Sequence, residues 1–260
     1  MTLLYQINPN ISWTASVYRA FRAPTLNELY RSFRQGNVIT EANAGLTAEH
    51  LTGTDTGINI YGFNRRLELK GTFFFNQIVD PVANVTCQLP PNNDPLCPAP
   101  IPNMIIRVRE NLGRTTAPGV DFDATIHITR DFQLSTGYQY VDSKVASFPS
   151  ESSLVGLWVA QVPHNASTFQ ARYANPRFIL VSVDGRLIGK QYDDDQNQFR
   201  LGSYFVMDAM VARNVGKGFQ LFAAVENLFN AQYSTAATPV PELGLPIAGR
   251  FGMRFQFPNR

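Results

Sequence analysis

The stretch IAGRFGMRFQF, Ile247 to Phe257, decides the fold. Side chains alternate with a period of two along an extended chain. Ile247, Gly249, Phe251, Met253, Phe255 and Phe257 therefore share one face, and Ala248, Arg250, Gly252, Arg254 and Gln256 share the other. A bulky apolar row ending in an aromatic, backed by arginine and glutamine, suits a strand held between lipid and a wet interior, which points to an outer-membrane β-barrel. A half-buried strand of a soluble sandwich would carry the same alternation.

Working outward, the pattern recurs along the chain. Ile11, Trp13, Ala15 and Val17 interleave with Ser12, Thr14, Ser16 and Tyr18; Leu67, Leu69, Phe73 and Phe75 interleave with Glu68, Lys70, Thr72 and Asn76, although Phe74 interrupts the polar side. Val120 to Ile128 alternates with Asp121, Asp123, Thr125 and His127, and similar rows start at Phe132, Ile179, Phe205 and Phe219. With Leu3–Ile7, His50–Tyr61 and Asn165–Tyr173, about eleven strands are expected. Short breaker-rich turns fall at 8–10, 62–65, 129–131, 175–177 and 214–218, and longer loops at 22–49, 80–103, 146–163, 192–198 and 229–245. In an up-and-down sheet, all short turns then lie at one end and all long loops at the other, the asymmetry of outer-membrane barrels. Trp13, Phe132, Tyr173, Phe219 and Phe257 sit on the apolar rows beside the short turns, as an interfacial aromatic girdle would.

At 260 residues the chain could hold one large all-β domain or two small ones. Hydrophobic residues make up 44% of the 260, yet the mean hydropathy is −0.14, so apolar residues are dispersed and no run approaches the ~20 of a membrane-spanning helix. A net charge of +2 singles out no partner, and no basic cluster suggests nucleic acid. Met1 to Ile7 has no basic segment or apolar core of a signal peptide, so for an exported protein a fragment or a mis-started reading frame is expected.

Cys87 and Cys97 flank a proline-rich loop. In an exported protein they are expected to form a disulfide worth roughly 2–3 kcal/mol; a zinc site is the alternative, but no histidine lies near. Asp193-Asp194-Asp195 could offer oxygens to Ca²⁺, with a solvated acidic loop as the competing reading. His50, His127 and His164 are widely separated. His164, Asn165 and Ser167 are the only local echo of a hydrolase set, and are too close on one strand to form a triad. No enzyme and no cofactor are expected.

The segment Tyr18-Arg-Ala-Phe-Arg-Ala-Pro-Thr-Leu-Asn-Glu-Leu-Tyr30 resembles one found in TonB-dependent outer-membrane receptors. Further landmarks follow that family's order: Asn43 to Glu49 leading into a strand, Asn111 before Gly119-Val120-Asp121, Val162-Pro163-His164, Val225 to Asn230 with Tyr233, and the final aromatic strand. The resemblance implies a 22-stranded antiparallel up-and-down transmembrane β-barrel in the cell outer membrane, of which residues 1–260 would be the C-terminal half. The plug domain, first-half strands, signal peptide and TonB-contacting motif would lie outside this chain. It further implies TonB-energised uptake of a scarce nutrient, most often an iron–siderophore complex, with cobalamin or a carbohydrate as other family cargoes; a porin without a plug is the runner-up. Implied partners are outer-membrane lipid, the N-terminal barrel half and plug, the TonB complex, and the barrel-assembly machinery. That machinery would read Phe251, Met253, Phe255 and Phe257, although Pro258-Asn259-Arg260 follow.

An isolated half sheet exposes two edges, each with roughly five N–H and five C=O groups per ten-residue strand. In lipid each such group costs several kcal/mol, so the chain is expected to need a partner half to close the ring. Ligand recognition is expected on the long loops, where Tyr30, Arg31, Phe33 and Arg34 mix aromatic surface with cations suited to an anionic aromatic chelate. Trp158, Tyr192 and Tyr233 are the other candidates; packing of the loops against each other is the competing role.

Overall fold

The computed structural model describes residues 1–87, 96–175, 177–216 and 218–255. Eleven strands pair antiparallel in sequence order. They are β1 (Thr2–Asn8), β2 (Ile11–Arg22), β3 (Glu49–Gly62), β4 (Leu67–Val79), β5 (Arg114–His127), β6 (Phe132–Val141), β7 (Asn165–Ala174), β8 (Leu180–Ile188), β9 (Tyr204–Gly216), β10 (Phe219–Glu226) and β11 (Ala248–Phe255). The sheet is open, with β1 and β11 at its edges, and a short strand, Lys144–Ser147, extends the loop end of β5.

The register carries the alternation from strand to strand. One face joins Trp13 to Ile58, Phe73 to Val120, Leu134 to Ile126 and Ala171, and Val183 to Ala209. The other joins Ser12 to Asn59, Lys70 to Asp123, and Gln170 to Asp184, which in turn lies opposite Asp208. Polar residues on this second face bind one another: Gln139 donates to Asp121 at 2.9 Å, Ser182 to Asp184 at 2.7 Å, and Arg250 to Glu226 at 2.9 Å. Asp121 and Gln139 line an open hollow of about 830 Å³, and Asp184 and Asp208 one of about 430 Å³.

The apolar face is uncovered, with Phe73 at 52% and Phe251 at 91% exposure. A soluble sandwich would bury that row against a second sheet. Here the buried cluster of Val85, Leu112, Val145, Phe148 and Leu154 forms among the long loops instead. The wall thus has a lipid side and a water side, and this buried hydrophobic cluster of the described residues sits above it.

Local side chains close the short turns. The Asn10 N–H donates to Asn8 Oδ1 at 2.8 Å, the Phe132 N–H to Thr129 Oγ1 at 3.0 Å, and the Arg177 N–H to Asn175 Oδ1 at 3.0 Å. Phe63, Asn64 and Arg65 all adopt positive φ. Aromatics gather at this end as expected: Tyr5 opposite Trp13, Phe132 opposite Tyr173, and Phe219 opposite Phe255 with ring centroids 4.6 Å apart. Phe257, Pro258, Asn259 and Arg260 lie outside the described residues.

Three loop boundaries differ from the sequence expectation. The loop placed at 80–103 continues to Gly113, because Val82–Thr86 and Ile105–Asn111 pair with each other rather than with the wall. Ile105–Asn111 also pairs in parallel with Val38–Glu41, which pairs with Phe33–Gln35, giving the loops a four-stranded sheet of their own. The loops placed at 146–163 and 192–198 begin earlier, at Asp142 and Gly189. Hydrophobic alternation marks a strand but says nothing about which sheet it joins.

Phe74, the exception on the polar face, lies over Gly119: a Cβ there would be 2.3 Å from its ring and 2.5 Å from the Tyr140 carbonyl oxygen. On the lipid side, a Cβ at Gly185 would fall 1.9 Å from the Phe169 ring alone. We expect Gly119→Ala and Gly185→Ala each to cost about 1–3 kcal/mol in denaturant unfolding of the folded barrel. Adding Phe169→Ala should relieve most of the Gly185→Ala cost, whereas Phe74→Ala should leave much of the Gly119→Ala cost, since a carbonyl remains in the way.

Candidate functional site

The long loops are anchored to the wall by charge. Arg22, at the end of β2, meets Glu49, at the start of β3, at 2.6 Å and Glu28 at 3.0 Å. Glu28 also accepts from the Thr25 N–H and hydroxyl, while the Glu28 N–H donates back to Thr25, so the short helix Leu26–Tyr30 (α1) begins with a capping box. Glu49 further accepts from the Val82 N–H at 2.7 Å, which ties the second loop to the base of the first.

Asparagines lock these loops together. Asn43 donates to the Arg109 carbonyl, and Asn111 accepts from the Thr47 N–H while donating to the Asp80 carbonyl. Asn227, 2% exposed, makes four hydrogen bonds where β10 ends: its N–H to Asp208, its amide to the Ala231 and Leu245 carbonyls, and its Oδ1 from the Ala231 N–H. Three of the sequence landmarks are thus loop fasteners.

The expected binding residues fall into three groups. Phe33 lies against the buried Arg109, whose guanidinium is 5.4 Å from the ring centroid and donates to the carbonyls of Asn27 and Arg31. Tyr30, Arg31, Phe33 and Arg34 are all exposed around this post, Tyr30 at 70%. Trp158 and Tyr192 form the second group, 5.5 Å apart and edge-on, with His164 stacked on Trp158 at 3.4 Å. Burial lowers the His164 imidazole below its ordinary value, against the opposing pull of Asp142, so it is neutral at neutral pH. Tyr233 is in the third, stacked on Tyr204 at 4.1 Å with its hydroxyl 3.5 Å from Arg186.

Asp193, Asp194 and Asp195 do not form the solvated acidic loop that their run suggests. Asp193 and Asp194 are 6% and 4% exposed. Asp193 accepts from the Ala237 and Thr238 N–H groups, the Thr238 hydroxyl and Gln161; Asp194 accepts from the Gln198 and Phe199 N–H groups; Asp195 accepts from Thr86. Arg107 reaches Thr238 at 3.1 Å from the loop sheet. The carboxylates therefore point at separate loops, and no group of three metal-ligating side chains occurs among the described residues. Four of the long loops meet at this hub. Cys87 and Cys97 form a disulfide with Cα atoms 5.8 Å apart, beside a cleft of about 660 Å³ that Met104, Ile106 and Leu157 also line.

Sequence reasoning overlooked Arg107, Arg109 and Arg186. The first two lie in the alternating stretch IIRVRE, Ile105 to Glu110, whose period of two is the signal that could have found them.

An antiparallel wall with one apolar and one polar face, tight turns at one end and a fastened loop cap at the other matches the TonB-dependent receptor-like β-barrel model over residues 2–228. The chain belongs to that family. TonB-dependent receptors are outer-membrane β-barrels, so the apolar face meets outer-membrane lipid and the long loops face the cell exterior. The ferrichrome outer membrane transporter/phage receptor of Escherichia coli K12 is 29% identical over 129 residues, 46% of this chain and 17% of that protein. The probable TonB-dependent siderophore receptor PiuA of Acinetobacter baumannii is 27% identical over 136 residues, 49% of this chain and 18% of its own length.

The PiuA crystal structure covers 98% of this chain and 35% of its own, with a TM-score of 0.71 at 19% identity. The copper transporter OprC covers 98% of this chain and 38% of its own, with a TM-score of 0.73 at 15% identity. At these identities the overlays establish the fold. The chain thus spans little more than a third of such a receptor.

Burial pushes the Glu28 carboxyl up, but Arg22 and Thr25 together outweigh it and hold the group at about 2. Because the folded value lies below the ordinary ~4.3, the anchor is fully present above that pH and is lost as pH falls through about 2. Hydrogen exchange at the Leu29 amide should therefore stay protected down to about pH 3 and open below pH 2, and Glu28→Gln should leave it open throughout. Asp193→Ala would leave four donors without their acceptor, two of them in buried hydrogen bonds, at a cost on the order of 3 kcal/mol. Exchange at the Ala237 and Thr238 amides should then rise about a hundredfold.

Proposed function

We propose that this chain is half the wall, and part of the cell-surface binding face, of a receptor that carries an iron–siderophore complex across the outer membrane. The observation that carries this reading is the family membership, with the ferrichrome transporter and PiuA among the relatives. The loop chemistry supports it: cations and aromatics are presented on loops fastened by buried polar bonds, so a ligand need not order them.

Eleven further strands complete the ring, a plug fills it, and the TonB complex supplies energy through a segment ahead of that plug. In this reading the exposed set Tyr30, Arg31, Phe33 and Arg34 captures the anionic chelate, and Tyr233, Tyr204 and Arg186 meet it lower on the inner face. The chemistry is binding and transport, with no covalent step.

The test is uptake of ⁵⁵Fe, supplied as ferrichrome or ferrioxamine, by a receptor-deficient host expressing the full-length receptor. Uptake should saturate and vanish in a host lacking TonB, and alanine at Tyr30, Arg31, Phe33 and Arg34 together should weaken cell-surface binding about 10–100-fold. TonB-independent, non-saturating passage of small sugars would replace this reading with a plugless channel.

A further inference from the structure

The tight turns carry charge of one sign. Arg65 and Arg66 close the turn between β3 and β4, Arg130 the turn between β5 and β6, and Arg177 the turn between β7 and β8; all four are exposed. Asp131 is the single acidic residue in these three turns, and Asn175 of the next turn donates to it. None of the four arginines enters an ion pair among the described residues. Phe63 and Phe178 stand at two of the same tips, 77% and 65% exposed.

Because the long loops face the cell exterior, these tips face the periplasm. Cations that served lipid head groups would stand on the outward row. At this end that row holds Leu67, Ile126, Phe132 and Tyr173, and Arg213 on β9 is its one cation among the described residues. Arg65 instead lies over the Tyr61 ring, 5.1 Å from its centroid, and Tyr61 sits opposite Glu68 on the polar face, so this guanidinium leans toward the bore. A partner for the four arginines must therefore approach along the membrane normal. Successive tight turns are two strands apart, so the three tips follow one another at intervals of about 10 Å across the strands. Turns this short wall off no pocket. They offer a shallow, regular row of cations to something extended.

We propose that Arg65, Arg66, Arg130 and Arg177 form a docking row on the periplasmic rim for the free peptide carboxylates of the cell-wall glycan–peptide polymer. That polymer lies beneath the membrane as an extended sheet and repeats its carboxylates, as the rim repeats its cations. Guanidinium groups take carboxylates through paired hydrogen bonds. One exposed pair contributes little, but several on one row hold a continuous polymer together, since each contact raises the effective concentration of the next. The row stands on the orientation of the wall in the membrane and is independent of the cargo.

The test uses the full-length receptor in phosphatidylcholine nanodiscs, with empty nanodiscs as the baseline, and follows co-sedimentation with three probes. These are purified cell-wall sacculi, the same sacculi with their carboxylates converted to amides, and phosphatidylglycerol vesicles. The wild type should bind native sacculi, and amidation should weaken that binding about tenfold or more. R65E/R66E/R130E/R177E should lose the preference for native sacculi while the fourfold lysine variant keeps it, with heat-modifiable migration confirming that each variant is a folded barrel. Equal binding to native and amidated sacculi, or a preference unchanged by the charge reversal, overturns the proposal. Phosphatidylglycerol vesicles held as firmly as native sacculi also overturn it, by reducing the row to a general anion-binding surface. If the variants do not fold, the wild-type comparison of the three probes still decides.

Discussion

Hydrocarbon offers no partner for a backbone N–H or C=O, and the structure follows from that constraint. The eleven wall strands meet it by pairing each with the next in sequence. Side chains are then free to serve two solvents, with Phe73, Phe251 and Met253 set against lipid and Asp121, Asp184 and Asp208 against water. Because neither solvent is a protein core, the wall needs almost none. Two hydroxyls on the lipid side are tied to the backbone or to a neighbour: Thr136 donates to the Thr168 carbonyl at 3.0 Å, and Thr56 accepts from the Trp13 indole at 2.8 Å.

The loop cap obeys the opposite rule. Its strands sit in water and must be held by ordinary packing, so the buried residues concentrate there, around Val85, Leu112, Val145, Phe148 and Leu154. Polar fasteners do the rest. A buried carboxylate is costly unless each oxygen is met by donors, and Asp193, with donors from Gln161, Ala237 and Thr238, meets that condition. Arg109 does the same for the first loop by donating to two carbonyls beneath Phe33. A binding surface on such loops is held in shape before a ligand arrives, which spares the ligand the ordering cost.

The chain therefore presents three surfaces of different chemistry. The inner face is acidic and hydrogen-bonded, the cap displays cations and aromatics, and the short-turn rim carries a row of arginines. Only the last was invisible as a surface until strands were placed side by side. Arg65 and Arg177 are 112 residues apart in the chain and come to one rim because successive hairpins bring β3 to β8 together in fixed register.

By itself the sequence determined the wall: strand number, order, alternation, the aromatic girdle and the placement of turns, because each depends on residues adjacent in the chain and on a period of two. It also carried the family landmarks. Tertiary structure alone decided what the loops are. Ile105–Asn111 has the alternation of a wall strand but pairs with Val38–Glu41, since its partner comes from a distant loop rather than the next hairpin. Asp193, Asp194 and Asp195 look like a cation site in one dimension and become loop ties in three, because the donors that satisfy Asp193 and Asp195 arrive from residues 86, 161 and 238. Local pattern follows from the backbone's geometry, while long-range partners are set by which loops the closed hairpins carry to the same place.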